Sequence, residues 1–117
     1  MDASKATPAE AVDHLDELGT GIRATVVLRD GAVAAHSGED AARGREMREL
    51  VVELFERADA ASGDPVDQLE VSTAGGAVFA VRRASWAIGV VAHRLSLSSL
   101  MLYDLRATLL ELEAVPR

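Results

Sequence analysis

The sequence predicts an α+β fold, a small antiparallel sheet with helices on both faces. Three observations predict it. Patterned segments follow one another as helix, two strands, helix, three strands, helix, from about residue 7 to residue 115. The strands within each group are joined by turn signals too short for a crossover helix, which forces antiparallel neighbours. One strand segment alternates strictly between apolar and polar residues, the mark of a half-buried antiparallel strand.

The first helix starts at Thr7-Pro8-Ala9-Glu10. Thr7 suits the cap, Pro8 the first helical position, and Glu10 completes a capping box three residues later. Ala11, Leu15 and Leu18 recur at helical spacing, with Val12 beside them, and Gly19-Thr20-Gly21 ends the run. Ile22 to Leu28 is β-branched and apolar, a strand. Asp30-Gly31 is the strongest two-residue hairpin signal. Ala32 to His36 returns as a short, small-residued strand suited to a sheet edge.

Residues 37 to 61 form the longest helix candidate, capped by Ser37 or Asp40. Met47, Leu50, Val51, Leu54, Phe55, Ala58 and Ala61 make one apolar stripe at 3–4 spacing. Glu39 with Arg43 and Glu53 with Arg57 are acid-before-base pairs at i,i+4, each worth roughly 0.2–0.5 kcal/mol. Gly44 weakens the first turns, so the ordered helix is expected to begin nearer Arg45. Gly63-Asp64-Pro65 ends it. In Gln68 to Thr73, Leu69, Val71 and Thr73 share one face, and Gln68, Glu70 and Ser72 the other. Gly75-Gly76 is a turn. Ala77, Phe79 and Val81 alternate with Val78, Ala80 and Arg82, and Arg83-Ala84-Ser85 turns the chain again. Trp86 to Ala92 is the fifth strand, with Ile88 and Val90 on one face. Ser96 or Ser98 caps the last helix. Its core face holds Leu97, Met101, Leu105, Leu109 and Leu112, widened by Leu100, Leu102 and Leu110, and Pro116 stops it. Residues 1–6 are expected to be a disordered tail and residues 7–117 one domain.

Composition narrows the function. The net charge is −7 and there is no cysteine. Thiol nucleophiles, disulfides and thiolate metal sites are therefore out. An acidic balance argues against nucleic acid as a partner, because phosphate binding needs clustered Lys and Arg. The first residues lack a basic start and an apolar run, and no apolar stretch approaches the roughly 20 residues of a membrane span. The expectation is a soluble cytoplasmic protein. Eleven of the twelve basic residues are Arg, which together with the abundant Ala suggests a GC-rich prokaryotic source.

Catalytic signals are missing. His14, His36 and His93 sit on three distant segments without metal-ligand spacing, so no metal or cofactor is expected. Ser96, Ser98 and Ser99 have no His-Asp partners and read as caps. Asp64, Asp67 and Glu70 lack the pairing that carboxylate chemistry needs. Gly75-Gly76 has no Gly-Lys-Ser/Thr ending and no following helix, so it is not a phosphate cradle. Arg82-Arg83, near Arg94, could grip a phosphate or an acidic partner; solvated hairpin-end arginines are the simpler reading. Trp86 reads first as a packed strand-start anchor.

The segment order and several phrases resemble the roadblock/dynein light-chain domain family. The phrases are Ile22 to Val33, in which the strand after the first helix ends in Asp30-Gly31, then Asp67 to Thr73, Val78-Phe79-Ala80-Val81, and the Leu-rich last helix. The resemblance implies a five-stranded sheet in order 2-1-5-4-3, the first and last helices on one face and the long second helix on the other. It implies a homodimer, or a pair with a paralogous roadblock subunit, joined through the third strand and the second helix. The interface would draw on Leu50, Val51, Leu54, Phe55, Leu69, Val71 and Thr73. An edge as regular as Gln68 to Thr73, only mildly blunted by Gln68 and Glu70, needs such cover. In its prokaryotic, GTPase-associated branch the family implies a non-enzymatic regulator or scaffold of a small Ras-like GTPase. Met47, Arg48, Val52, Glu56, Arg82 and Arg83 are the candidate partner contacts. The alternative is a small-molecule-sensing α/β signalling module or an adaptor without a GTPase, although such a pocket wants convergent polar groups and the chain has only four aromatics.

Overall fold

A computed structural model describes residues 7–18, 21–93 and 98–114. The expected tail at residues 1–6, the Gly19-Thr20 helix stop, Arg94, the Ser96 cap, Leu97 and Pro116 lie outside the described residues. The elements run α1 (Pro8–Glu17), β1 (Ile22–Arg29), β2 (Ala32–His36), α2 (Ala41–Ser62), β3 (Gln68–Thr73), β4 (Gly76–Arg83), β5 (Trp86–Ala92) and α3 (Ser98–Glu113). The strands form one antiparallel sheet in the order β2-β1-β5-β4-β3.

Local chemistry accounts for the element ends. The Glu10 N–H donates to Thr7 Oγ1 at 3.1 Å and the Thr7 N–H to Glu10 Oε1 at 3.0 Å, a complete capping box. Asp30 and Gly31 both hold positive φ, 53° and 82°, the conformation that a two-residue hairpin needs to follow the strand twist. Asp40, not Ser37, caps α2, with its carboxylate accepting from the Ala42 N–H at 2.9 Å. Gly63 ends α2 in the left-handed conformation, φ 82°.

Gly44 does not delay α2 as expected. The helix starts at Ala41, and Gly44 lies inside it where β2 comes close. A Cβ there would stand 2.6 Å from the His36 ring, so the glycine answers a packing constraint from another element. The turn before β4 also shifts: Gly76 is already a strand residue, paired with Thr73.

The register lays each sheet face out in rows. On the α1/α3 side, Val27, Ile88 and Val81 form one row, and Thr25, Val90 and Phe79 the next. The five apolar residues of these rows pack with Ala11, Leu15, Met101, Leu105, Leu109 and Leu112 into one buried core. On the α2 side there are three rows: Ala24, Val91, Val78, Val71; Val26, Gly89, Ala80, Leu69; and Leu28, Ala87, Arg82. Met47, Val51 and Phe55 of α2 join Ala24, Val26, Leu28 and Ala80 in a second, smaller core. Gly89 lets them in, since a Cβ there would collide with Val51 Cγ2.

One helix differs from its expected orientation. Leu100 and Leu110 do not widen the buried face of α3; they are 55% and 53% exposed. The helix is apolar on nearly every side, so periodicity alone does not choose the arc that is buried. The sheet chooses Met101, Leu105, Leu109 and Leu112 and turns the other arc outward. Ser98, expected as a cap, is the first helical residue, and its hydroxyl donates to Glu70 Oε2 at 2.7 Å.

Candidate functional site

Helix α2 crosses the middle row of its sheet face, with Val51 over Gly89. This leaves an open flank on either side. Arg48, Val52, Glu56 and Asp59 turn toward the ends of the strands that carry the β1–β2 and β4–β5 turns. At 100° per residue, Leu50 and Leu54 fall on the opposite flank, beside the row Val91, Val78, Val71.

The turn-side flank is a groove of about 380 Å³. Leu28, Val52, Phe55 and Ala87 give it an apolar floor, and Asp30, Glu56 and Arg82 reach its rim. Arg82 is heavily committed there. Its Nη2 donates to Asp59 Oδ1 at 2.6 Å and Oδ2 at 2.8 Å, and its Nε to the Val66 carbonyl at 2.8 Å. The guanidinium also lies 4.3 Å from the Phe55 ring centroid. Asp59 Oδ1 accepts a further bond from the Val66 N–H at 2.9 Å. The Arg82 hydrogen bonds, and then the Val66 N–H, hold the Asp59 carboxyl below its ordinary value of 3.8. The group ties the end of α2 to β4 and to the segment before β3.

The opposite flank is apolar and incompletely covered. Leu50 and Leu54 are half-buried, as are Leu69, Val71, Val78 and Val91. Beyond them β3 is the outer strand, and among the described strands only β4 pairs with it. The expected interface residues therefore divide. Leu50, Leu54, Leu69, Val71 and Thr73 lie together on or near a free surface. Val51 and Phe55 are 1% and 4% exposed and belong to the chain's own core.

The expected partner contacts divide too. Val52, Glu56 and Arg82 meet in the groove. Arg48 lies beside it, its Nε donating to the Gly31 carbonyl. Met47 is buried. Arg83 stands apart, paired with Glu113 at 2.6 Å across to α3. Gln68 and Glu70 serve more than the strand edge, since Arg106 donates to Gln68 and Ser98 to Glu70. Sequence reasoning missed Asp59. One signal was present: an acid in the last turn of a helix opposes the helix dipole and wants a specific partner.

No group of three or more His, Asp or Glu that could hold a metal ion exists among the described residues. No helix there is long and apolar enough to cross a membrane.

This arrangement is the roadblock/LC7 fold. No protein-family model matches the sequence, and no curated protein matches it. Solved structures do. A roadblock/LC7 domain from Streptomyces avermitilis superposes with a TM-score of 0.81 at 18% identity, covering 92% of this chain and 96% of that one. The gliding protein MglB of Thermus thermophilus gives 0.68 at 17% identity, over 92% and 90%. An MglB described in a tetrameric arrangement gives 0.70 at 16%, with the same coverage. At such identities the likeness establishes the fold.

Proposed function

We propose that this chain is a dimeric, non-enzymatic regulator or scaffold that binds a small Ras-like GTPase in the cytoplasm. One observation carries the reading: the half-bare row Val91, Val78, Val71 runs beside Leu50 and Leu54 and ends at the outer strand β3. A second copy related by a two-fold axis would extend the sheet at Leu69 to Thr73 and lay its own Leu50 and Leu54 on the exposed row. Val51 and Phe55 anchor α2 to the sheet from within the chain's own core. The tetrameric arrangement described for an MglB agrees with self-association of this fold. A paralogous subunit could take the second place by the same contacts.

The groove on the other flank is the proposed GTPase contact, through Val52, Glu56 and Arg82 with Arg48 beside them; buried Met47 and Arg83, which pairs with Glu113 on the α3 side, fall outside it. It would reshape the GTPase's own site, since it brings no catalytic group of its own. The net charge of −7 argues against nucleic acid as an alternative partner.

Light scattering tests the pairing: the expected mass is about 25 kDa, twice the 12.4 kDa chain. The GTPase reading is tested with a Ras-like GTPase from the same genome, loaded in turn with GDP and a non-hydrolysable GTP analogue. Binding that differs between the two states supports it, and equal or absent binding for every such GTPase refutes it.

The apolar floor of the groove favours one second reading, a small-molecule-sensing module. A ligand seated there would raise the melting temperature in a thermal-shift screen.

A further inference from the structure

The large apolar residues exposed among the described residues are Leu18, Leu100, Tyr103 and Leu110. All four lie on the α1/α3 layer, across the sheet from α2. Three of them belong to α3, at 55%, 63% and 53% exposure. With exposed Ala107 and Ala114 between and after them, they recur at spacings of 3, 4, 3 and 4. That is the period of a coiled-coil seam, and it lies opposite the core-facing Met101, Leu105, Leu109 and Leu112. An apolar seam of this kind on a stably packed helix marks an interaction surface.

Charge identifies the partner. Helices α1 and α3 together carry seven carboxylates against one arginine and one histidine. Helix α2, by contrast, has five acids and four arginines. Nearly all of the chain's net negative charge thus sits on the layer that exposes the seam. Ser98 and Arg106 turn toward β3, where they meet Glu70 and Gln68. Asp104 and Glu111 therefore flank the seam on its α1 side, and Asp13 and Glu17 of α1 are exposed beyond them. A second copy would set one acidic face against another, which such a field opposes. An anionic membrane surface is repelled for the same reason.

We propose that the outer face of α3, with α1 beside it, docks a basic amphipathic helix from another protein. Leucine-like residues of that helix would pack between Leu100, Tyr103 and Leu110, and Lys or Arg on its edges would meet Asp104, Glu111, Asp13 and Glu17. The surface lies across the sheet from Leu50, Leu54 and the groove, so it operates whether or not a GTPase is bound there.

The test uses a fluorescent synthetic helical peptide of three heptads, with Leu at the seam positions and Lys on both flanks, titrated with the intact protein. A second peptide carries Glu in place of Lys. The Lys peptide is expected to bind saturably and to weaken at least about tenfold as salt is raised from low to high ionic strength. The double variant Tyr103→Glu/Leu110→Glu, both at exposed positions, should keep the wild-type circular dichroism and melting curve and bind about tenfold or more weakly. Leu54→Asp on the opposite face should bind the peptide within about twofold of wild type, which separates this surface from the proposed subunit interface. No saturable binding of the Lys peptide overturns the proposal, as does equal binding of the Glu peptide or an unchanged affinity in the double variant. Loss of a higher oligomer in the double variant, without any peptide binding, would instead assign the seam to self-association.

Discussion

Gly89 and one ion pair show how single residues place α2. Gly89 has no special backbone angle to serve; its role is the absence of a side chain beneath Val51. Gly89→Ala should therefore destabilise the protein by about 1–3 kcal/mol, the usual range for overpacking. Urea denaturation should show a lower midpoint with an unchanged slope. Shortening the opposing side chain, as in Val51→Ala, should recover part of the loss in the double variant, because the two positions are in contact. Asp59 makes a pH prediction. Its pairing with Arg82 lowers its pKa on folding, so the stabilisation is complete above the ordinary value of 3.8 and declines as the pH falls below it. The difference in melting temperature between wild type and Asp59→Asn should thus be constant near neutrality and shrink below about pH 4.

Among the elements, α1 and α3 present opposite cases. Helix α1 is locally well specified, with a cap, a proline and an acid in register. Thr7→Ala should cost about 1 kcal/mol, read as a shift in the denaturation midpoint. Its acids carry a penalty as well: partial burial, and then the charge of Asp13, raise the pKa of Asp16. That group favours folding most below its unfolded pKa and loses the advantage as the pH rises through its folded value. Asp16→Asn should therefore stabilise slightly at neutral pH, read as a small rise in the melting temperature that disappears at low pH. Helix α3 is locally ambiguous. Leucines at positions 100, 102, 105, 109, 110 and 112 surround it, and only contact with β4, β5 and α1 separates its buried arc from its exposed one.

At the scale of the whole molecule, the sheet divides the chain into two layers of unlike chemistry. One carries a nearly balanced helix beside a half-covered apolar row; the other carries most of the acid and an exposed seam. The two should respond to different substitutions. Leu54→Asp is expected to reduce the solution mass from about 25 kDa to 12.4 kDa while leaving the circular dichroism unchanged, because Leu54 is outside the buried core. Leu110→Glu should leave the mass of the pair unchanged.

The sequence by itself determined the fold class, the order of all eight elements and most of their ends. Caps, hairpin turns and apolar periods are short-range signals, each complete within a few residues. The roadblock resemblance implied the strand order, and the structure has it. Of the site, Val52, Glu56 and Arg82 were named from the sequence, but not the Asp59 carboxylate that holds Arg82 from 23 residues away. Gly44 read as a weak point in a helix because His36 belongs to another strand. Leu100 and Leu110 read as core because their spacing fits either arc of α3. In each case tertiary structure decided the outcome, for one physical reason. Burial and pairing depend on which surfaces meet, and that information lies in contacts between segments distant in the chain.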